Sequence, residues 1–357
     1  MTTFVATVTV LGVLIFVHEL GHFLLAKLLG VRVEAFSLGF PPRLLHKKIG
    51  DTDYRLSVIP LGGYVKLLGE NPKDEVPPEL EPFSFIYHPL WHRFLVVLAG
   101  PTFNLLFAVI AFFLVFTFSG LPYLTTEIGG VVEQSPSAQA GLQKGDLVLS
   151  VNNQTVRRWQ DLAELISKSA EQPVTLRVKR GEEVFSVTVI PKLMEVPADA
   201  FGNKTTAFKI GVNASDHIEL EKLGPGRALI AGLSSTWECT VQIFLGFYKL
   251  IVREVPLKAL GGPILIAQAA GKTAQRGVAP LVQFMGLLSI NLFLLNLLPI
   301  PILDGGHLLF FLFEALRGKP MDLKHREMAQ GLGLMLILAL MILVFYQDIL
   351  RLVHPTD

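Results

Sequence analysis

Four stretches of the chain are long and apolar enough to cross a bilayer, whose hydrocarbon core is about 30 Å thick. They are Val5 to Leu29, Leu95 to Phe118, Val278 to Leu303 and Met328 to Gln347. Hydrophobic residues make up 51% of the 357 residues and charged residues only 17%, a balance too apolar for a soluble domain. The pattern therefore predicts an α-helical multi-pass membrane protein with four transmembrane helices.

A fifth apolar stretch, Ala228 to Val252, has a different pattern. Glu238 and Lys249 interrupt it, and its large apolar residues recur at intervals of three and four. That period is typical of an amphipathic helix lying in the membrane interface. We expect this segment not to span, so that Lys249 and Arg253 lie on the same side of the membrane as Lys179.

Two segments between the spans predict β structure. Residues 31 to 70 are rich in Val, Phe, Tyr and Leu and are broken by Gly and Pro, which indicates a β-hairpin. Its edge, beside a membrane helix, can add a substrate strand through backbone hydrogen bonds, and a plain cytoplasmic hairpin is the alternative. Residues 128 to 192 alternate short apolar runs with turns around a helical stretch at 159 to 169, which predicts one small strand-rich domain.

Basic residues are concentrated in two loops, one after the first span and one between the third and fourth. They are Arg32, Arg43, Lys47, Lys48, Arg55 and Lys66 in the first loop, and Arg317, Lys319, Lys324 and Arg326 in the second. Both loops should be cytoplasmic by the positive-inside rule, which places both termini and the strand-rich domain on the opposite side. The net charge of +1 gives no bias toward nucleic acid, which we do not expect as a partner.

The candidate chemistry begins in the first span, at His18-Glu19-Leu20-Gly21-His22. Residues four apart share one face of a helix, so His18 and His22 can direct their imidazoles at one metal ion. Ionisable groups inside a membrane helix are costly unless paired or liganded, which favours a functional site. A hydrolytic zinc ion takes three protein ligands and leaves one position for water, and Glu19 is then the candidate general base.

The third ligand is predicted from the third span. The single cysteine, Cys239, excludes a cysteine-rich site, so the ligand must be His, Asp or Glu. Pro299 and Pro301 break the helix just before Asp304, and a broken helix at membrane depth is tolerated where it lines a site. His307 is the competitor, but a carboxylate offsets part of the zinc charge, so we predict Asp304 as the ligand and His307 as a group that supports one.

Four features in this order resemble the site-2 protease family, most closely its bacterial regulator of sigma E members. They are the H-E-L-G-H motif, Gly100-Pro101-Thr102-Phe103-Asn104 in the second span, a PDZ-like insert around residues 135 to 146, and Asn296-x-x-Pro-x-Pro-x-Leu-Asp304-Gly305. The resemblance covers nearly the whole chain. Several enterobacterial relatives have two PDZ domains, whereas this chain has room for one.

The resemblance implies a zinc protease of the bacterial inner membrane that cuts a transmembrane helix, such as that of an anti-sigma factor already trimmed on its outer side. It implies that His18, His22 and Asp304 hold zinc and that Glu19 is the base. It also implies a membrane-entering hairpin, a periplasmic PDZ domain, and substrate contacts from Asn104, Asn291 and Asn296. Helix capping or interhelical hydrogen bonding is the alternative role for these asparagines.

The expected segments follow from these motifs. They are 1–30 (first span), 31–90 (hairpin region), 91–120 (second span), 121–215 (PDZ-like domain), 216–277 (amphipathic helices and linker), 278–317 (third span with the Asp304 motif), 318–327 (cytoplasmic loop) and 328–350 (fourth span). The first span lacks a basic start and a small-residue cleavage site, so we expect it to be retained rather than removed as a signal peptide. The PDZ-like domain either binds chain ends or acts as a steric filter. The rival function is a membrane scaffold or metal-handling protein with a structural metal.

Overall fold

The structure is a computed structural model that describes residues 1–71, 75–197, 204–256 and 260–353. It divides into two compact units. The first is Met1–Val115 together with Pro225–Asp357, and the second is Phe116–Gly224. The first unit contains the predicted membrane spans apart from the last three residues of the second span, 116–118, and the second contains the predicted strand-rich domain.

Nine α-helices occur in the described residues. They are α1 (Thr2–Leu28), α2 (Leu90–Phe118), α3 (Pro136–Gln139), α4 (Trp159–Lys168), α5 (Pro225–Ile251), α6 (Pro263–Arg276), α7 (Val278–Asn296), α8 (Asp304–Arg317) and α9 (Leu323–Val353). Five of them, α1, α2, α5, α7 and α9, are long and apolar enough to cross a membrane by length and composition alone. The four predicted spans are α1, α2, α7 and α9, and α5 covers the segment predicted to lie in the interface.

The third predicted span differs from the structure at its end. Helix α7 stops at Asn296 rather than Leu303, and a new helix, α8, begins at Asp304. Proline has no backbone N–H and clashes with the preceding turn. A single proline, Pro101, is accommodated within α2, but Pro299 and Pro301 remove two donors from one turn, and the helix stops before them. The predicted third span is therefore two helices joined by a loop, and this loop delivers Asp304.

Contacts along α1, α2 and α7 fix the relative directions of these helices. Ala6, Val10 and Leu14 of α1 pack with Met285 of α7, and His18 lies beside Asn296. Residue numbers thus rise together in α1 and α7, so these two helices are parallel.

Helix α2 runs the opposite way to α7. Its Asn104 carbonyl accepts from Ser289, whereas its Phe112, further along α2, faces the earlier residue Gly286. The end of α2 and the start of α7 therefore lie at the same end of the bundle. If α5 crossed the membrane, the chain would have to cross it again before α7 begins. Helix α6, which lies between them, has 14 residues and is only about 21 Å long, shorter than the hydrocarbon core of about 30 Å. Placement of α5 in the interface stays a prediction.

The hairpin region contains two long antiparallel strands, β1 (Val33–Ile49) and β2 (Thr52–Leu67). Each strand bends, so residues 35–38 of β1 lie opposite both 63–66 and 53–56 of β2, while residues 43–49 pair with 52–57. Gly39, with a φ of +92°, precedes the bend in β1. Strand segment 63–67 is consequently at one edge of the sheet. The base of the hairpin packs against α1, α2 and α8 through Val33, Leu67, Ala26, Val96 and Phe311.

The described part of the second unit is a small domain of strands and two short helices, α3 and α4. Its strands are β3 (Leu121–Leu124), β4 (Ile128–Val131), β5 (Leu147–Val151), β6 (Gln154–Thr155), β7 (Val174–Arg180), β8 (Glu183–Val189), β9 (Lys192–Pro197), β10 (Lys204–Lys209), β11 (Val212–Ala214) and β12 (Ile218–Glu221). A four-stranded sheet of order β6-β5-β7-β8 packs with α4 over one apolar core. The predicted boundary at residue 215 is too early, because β12 pairs with β3 and belongs to this unit.

Candidate metal centre

The two histidines of the first span lie together inside the helix bundle. Their Nε2 atoms are 3.2 Å apart, and only 15% of the His18 side chain and 14% of the His22 side chain are exposed. The Nδ1 of His22 lies 2.8 Å from the Val96 carbonyl oxygen, to which it donates. That bond leaves the His22 Nε2 lone pair available for a metal ion.

Asp304 reaches the same point from the first turn of α8. Its Oδ2 atom is 3.2 Å from His18 Nε2 and 3.6 Å from His22 Nε2. Asp304 can reach this point only because the two residues that follow it, Gly305 and Gly306, have no side chains. A Cβ atom at Gly305 would lie 2.3 Å from the Leu298 carbonyl oxygen, and one at Gly306 would lie 2.3 Å from that of Ile300. The loop between α7 and α8 therefore packs directly onto the start of α8.

These three atoms fit a zinc ion. Metal–ligand distances of about 2.0–2.1 Å in a tetrahedral site separate neighbouring ligand atoms by about 3.3 Å, and the observed separations are 3.2, 3.2 and 3.6 Å. Asp304 Oδ2 is also buried and forms no hydrogen bond of good geometry, a costly state for a carboxylate oxygen that a metal ion would relieve. Among the described residues, this is the one group of three metal-type ligands that converge.

Glu19 lies beside this centre and is held by the hairpin. The Val65 backbone amide of β2 lies close to the Glu19 carboxylate, and a Cβ at Gly63 would lie 3.3 Å from Glu19 Cγ. The same strand segment that forms the sheet edge therefore positions the candidate base. The sequence predicted a sheet edge near the metal helix, but not this contact.

Helices α1 and α2 approach closely at two glycines. A Cβ at Gly21 would lie 2.5 Å from the Ala99 carbonyl oxygen, and one at Gly100 would lie 2.2 Å from His22 Nε2 and 2.8 Å from His18 Cε1. Both histidine rings thus pack against the bare backbone at Gly100. Sequence reasoning used Gly100 only as part of a family motif, and the local pattern gives no indication of this contact.

The structure places the three predicted asparagines differently. The Nδ2 atoms of Asn104 and Asn296 lie 3.3 and 3.4 Å from the Nδ1 of His18. Asn104 is fully buried, whereas Asn296 is half-buried. Asn291 is half-buried too and precedes Asn296 by five residues, which turns its side chain about 140° around α7. The structure therefore brings Asn104 and Asn296 to His18, and Asn291 faces another side of the helix.

His307 has its own partner on α9. Its Nδ1 atom lies 3.2 Å from an Arg326 Nη2 atom, which donates to it, and the converging ligand group contains Asp304 rather than His307. A second contact holds α8 two turns further along, where Arg93 of α2 donates to Glu314 at 3.2 Å and stacks over Phe311. Sequence reasoning missed this ion pair, since its members are 221 residues apart in the chain.

Among the described residues of the second unit, the one buried carboxylate is Asp146, in the loop that follows the PDZ-like Ala-Gly-Leu sequence. It accepts from Arg180 at 2.7 and 2.8 Å and from the Gln143 backbone N–H. Burial by itself raises the pKa of Asp146, but these hydrogen bonds outweigh it, so the pKa lies below its ordinary value of 3.8. The bonds tie this loop to β7.

The fold and the site together define a metal-dependent hydrolase centre inside a bundle of apolar helices. The model of peptidase family M50 matches residues 6–340. The chain therefore belongs to the M50 family, the site-2 proteases, and is a zinc-dependent protease of that type.

Similar proteins occur in several bacteria, under the name "Putative zinc metalloprotease". One from Mesorhizobium japonicum is 37% identical, over 97% of this chain and 98% of its own length. One from Campylobacter jejuni is 36% identical, over 98% and 94%, and one from Agrobacterium fabrum is 34% identical, over 97% and 95%. The crystal structure of the PDZ domain of an SdrC-like protein from Listeria monocytogenes is 19% identical and covers 26% of this chain and 90% of its own, with a TM-score of 0.21.

Proposed function

We propose that this protease hydrolyses a peptide bond within a transmembrane segment of its substrate. The observation that carries the proposal is the position of the ligand group. His18 and His22 lie on α1, an apolar helix of spanning length, and Asp304 is delivered by the loop after α7, another such helix. A catalytic centre at this depth meets peptide bonds that are themselves inside the bilayer.

His18 Nε2, His22 Nε2 and Asp304 Oδ2 are the proposed ligands, and Glu19 is the proposed general base. A zinc ion held by them supplies a Lewis acid that makes water acidic and polarises a carbonyl group. Glu19 takes the proton of the attacking water and then gives it to the departing amine nitrogen. The neighbouring Val65 backbone N–H is proposed to orient the Glu19 carboxylate for both transfers.

The sheet edge at residues 63–67 is the proposed platform for the substrate. A transmembrane helix has its peptide groups bonded internally, so it must unwind before a protease can attack it. In the described residues β2 pairs with β1 only, and Val65 directs its N–H toward Glu19. An unwound substrate strand paired along this edge would present its peptide bond to Glu19 and replace the hydrogen bonds that it lost.

The half-buried amide of Asn296 is a further proposed substrate contact, because an extended chain in an apolar site offers unpaired peptide groups. Asn291 is retained as a proposed contact on the same chemical ground. The proposed substrates are proteins with a single transmembrane helix, of the anti-sigma factor type, in a bacterial inner membrane. The basic loops favour an orientation with the hairpin side cytoplasmic and the second unit outside, where that unit would exclude substrates with bulky outer domains.

A reconstituted cleavage assay tests this function. The purified protein in liposomes is given a single-span substrate with either a short or a folded outer domain, and the new termini are located by mass spectrometry. We expect one cut inside the apolar segment of the short substrate, loss of the cut after chelation of zinc, and poor cutting of the bulky substrate. A cut in a soluble region alone would contradict the intramembrane proposal. Equal cutting of both substrates would refute the size filter.

A further inference from the structure

Each histidine that binds zinc through Nε2 must carry its proton on Nδ1. A proton on a buried Nδ1 needs an acceptor, and the acceptor fixes both the tautomer and the ring orientation. His22 has one, since its Nδ1 lies 2.8 Å from the Val96 carbonyl oxygen. The same requirement applies to the Nδ1 of His18.

Two side-chain amides face the Nδ1 of His18, with the Asn104 Nδ2 at 3.3 Å and the Asn296 Nδ2 at 3.4 Å. An amide nitrogen only donates. In this arrangement the Nδ1 of His18 is the acceptor, the proton sits on Nε2, and Nε2 has no lone pair for a metal ion. The metal-binding form of His18 therefore requires one of these amides to present its oxygen instead.

Asn104 can turn at no cost in hydrogen bonds. Its Oδ1 atom is buried with no donor in reach, so no bond holds the oxygen in its present place. A side-chain amide is nearly symmetric in shape, and a 180° turn exchanges its nitrogen and oxygen within the same volume. The turned Asn104 accepts from His18 Nδ1–H, which completes one hydrogen bond and frees Nε2.

The surroundings of Asn104 favour this role over contact with substrate. Its exposed fraction is 0%, and its backbone carbonyl is tied to α7 by the Ser289 hydroxyl at 2.8 Å. Asn296 is half-buried. A single Nδ1 proton serves one acceptor, so a bond to Asn104 leaves the Asn296 amide free for a peptide group.

We propose that Asn104 is a positioning residue that accepts the His18 Nδ1 proton and so selects the tautomer of His18 that binds zinc. This inference rests on the proposed zinc ligation by His18. It replaces the substrate contact that the family resemblance implied for Asn104.

Four variants test the proposal by zinc affinity, measured by competition with a chelator of known affinity. Asn104→Leu keeps the size of the side chain and removes the acceptor. Asn104→Asp keeps an acceptor and removes the donor. Thr102→Val is the matched control, because Thr102 lies on the same helix with an exposed hydroxyl bonded only to the Leu98 carbonyl. His18→Ala measures the contribution of the ligand itself.

We expect Asn104→Leu to weaken zinc binding by about 10- to 100-fold, as is typical for loss of a partner to a metal-bound histidine. Asn104→Asp should bind zinc at least as tightly as the wild type, and Thr102→Val should be unchanged. Melting of the zinc-free proteins shows whether each variant folds, and Asn104→Val replaces the leucine variant if that one does not. Asn296→Leu should keep its zinc affinity but raise KM for the transmembrane substrate.

Wild-type zinc affinity in Asn104→Leu would overturn the proposal. A loss in Asn104→Asp as large as that in Asn104→Leu would overturn it too, since the amide would then act as a donor. If His18 is not a zinc ligand, wild type and His18→Ala will bind zinc equally well. That result would contradict the proposed zinc ligation by His18 and is distinct from the outcomes that overturn the role of Asn104.

Discussion

Replacement of Gly100 by alanine tests the packing of the metal centre most sharply. The new Cβ atom would lie 2.2 Å from His22 Nε2, and ordinary contacts begin at 3.4 Å. The imidazole must therefore move by at least 0.8 Å to reach the shortest contact that proteins show, 3.0 Å, and by 1.2 Å to reach an ordinary one. Metal sites tolerate deviations of only about 0.2 Å in ligand distance, so His22 can no longer share an ion with His18 and Asp304.

The protein should still fold. Overpacking of this kind costs about 1–3 kcal/mol, and alanine in a helix recovers up to about 1 kcal/mol relative to glycine. Displacement of a ligand should weaken zinc binding by more than the roughly 100-fold upper range for loss of an outer partner. We therefore expect a zinc-poor, inactive protein with a nearly normal melting temperature.

Gly12→Ala on α1 is the matched control, because a Cβ there meets nothing within 4 Å. The assays are zinc content after chelator competition, cleavage of the reconstituted substrate, and thermal unfolding of both variants. Gly12→Ala should keep its zinc and its activity. Wild-type zinc affinity in Gly100→Ala would refute the description of the two rings as packed against that backbone.

Three further predictions concern other parts of the chain. Asp304→Ala should abolish cleavage and strip zinc, whereas His307→Ala, which loses only the contact with Arg326, should be milder in both, and zinc analysis of the two variants compares them directly. The pKa of Asp146 is lower in the folded state than in the unfolded state, so its bonds stabilise the second unit above about pH 4 and the effect is lost as the pH falls. Asp146→Asn should remove this acid dependence, measured by Trp159 fluorescence with Trp91 and Trp237 replaced by phenylalanine. Cysteine labelling in a Cys239→Ala background should place Lys249 and Arg253 on the same side as Lys179, and opposite sides would overturn the four-span topology.

The parts of the site that were predictable from sequence depend on local spacing. The four-residue interval between His18 and His22 specifies one helix face wherever the helix packs. Pro299 and Pro301, only two residues apart, likewise disfavour a continued helix, which places Asp304 at the start of a new one. Such features can be predicted without knowing which distant segments of the chain pack against them.

The parts that were not predictable depend on contacts between distant segments. Nothing in the sequence near Gly100 shows that two imidazoles will pack against it, and the His18 contact with Asn104 joins residues 86 positions apart. The doubled register of β1 and β2 and the pairing of β12 with β3 were missed for the same reason. Alternation identifies a strand, but the partner of the strand is set by the tertiary fold.

The central claim is that Glu19 is the base of a zinc centre built by His18, His22 and Asp304. Purified Glu19→Gln protein, reconstituted with the single-span substrate, tests it in one measurement of zinc content and cleavage rate on the same sample. The amide keeps the shape of Glu19 but cannot take a proton from water. The prediction is one zinc ion per chain, as in the wild type, with cleavage reduced by at least about 100-fold. Cleavage at a rate near that of the wild type would contradict the account.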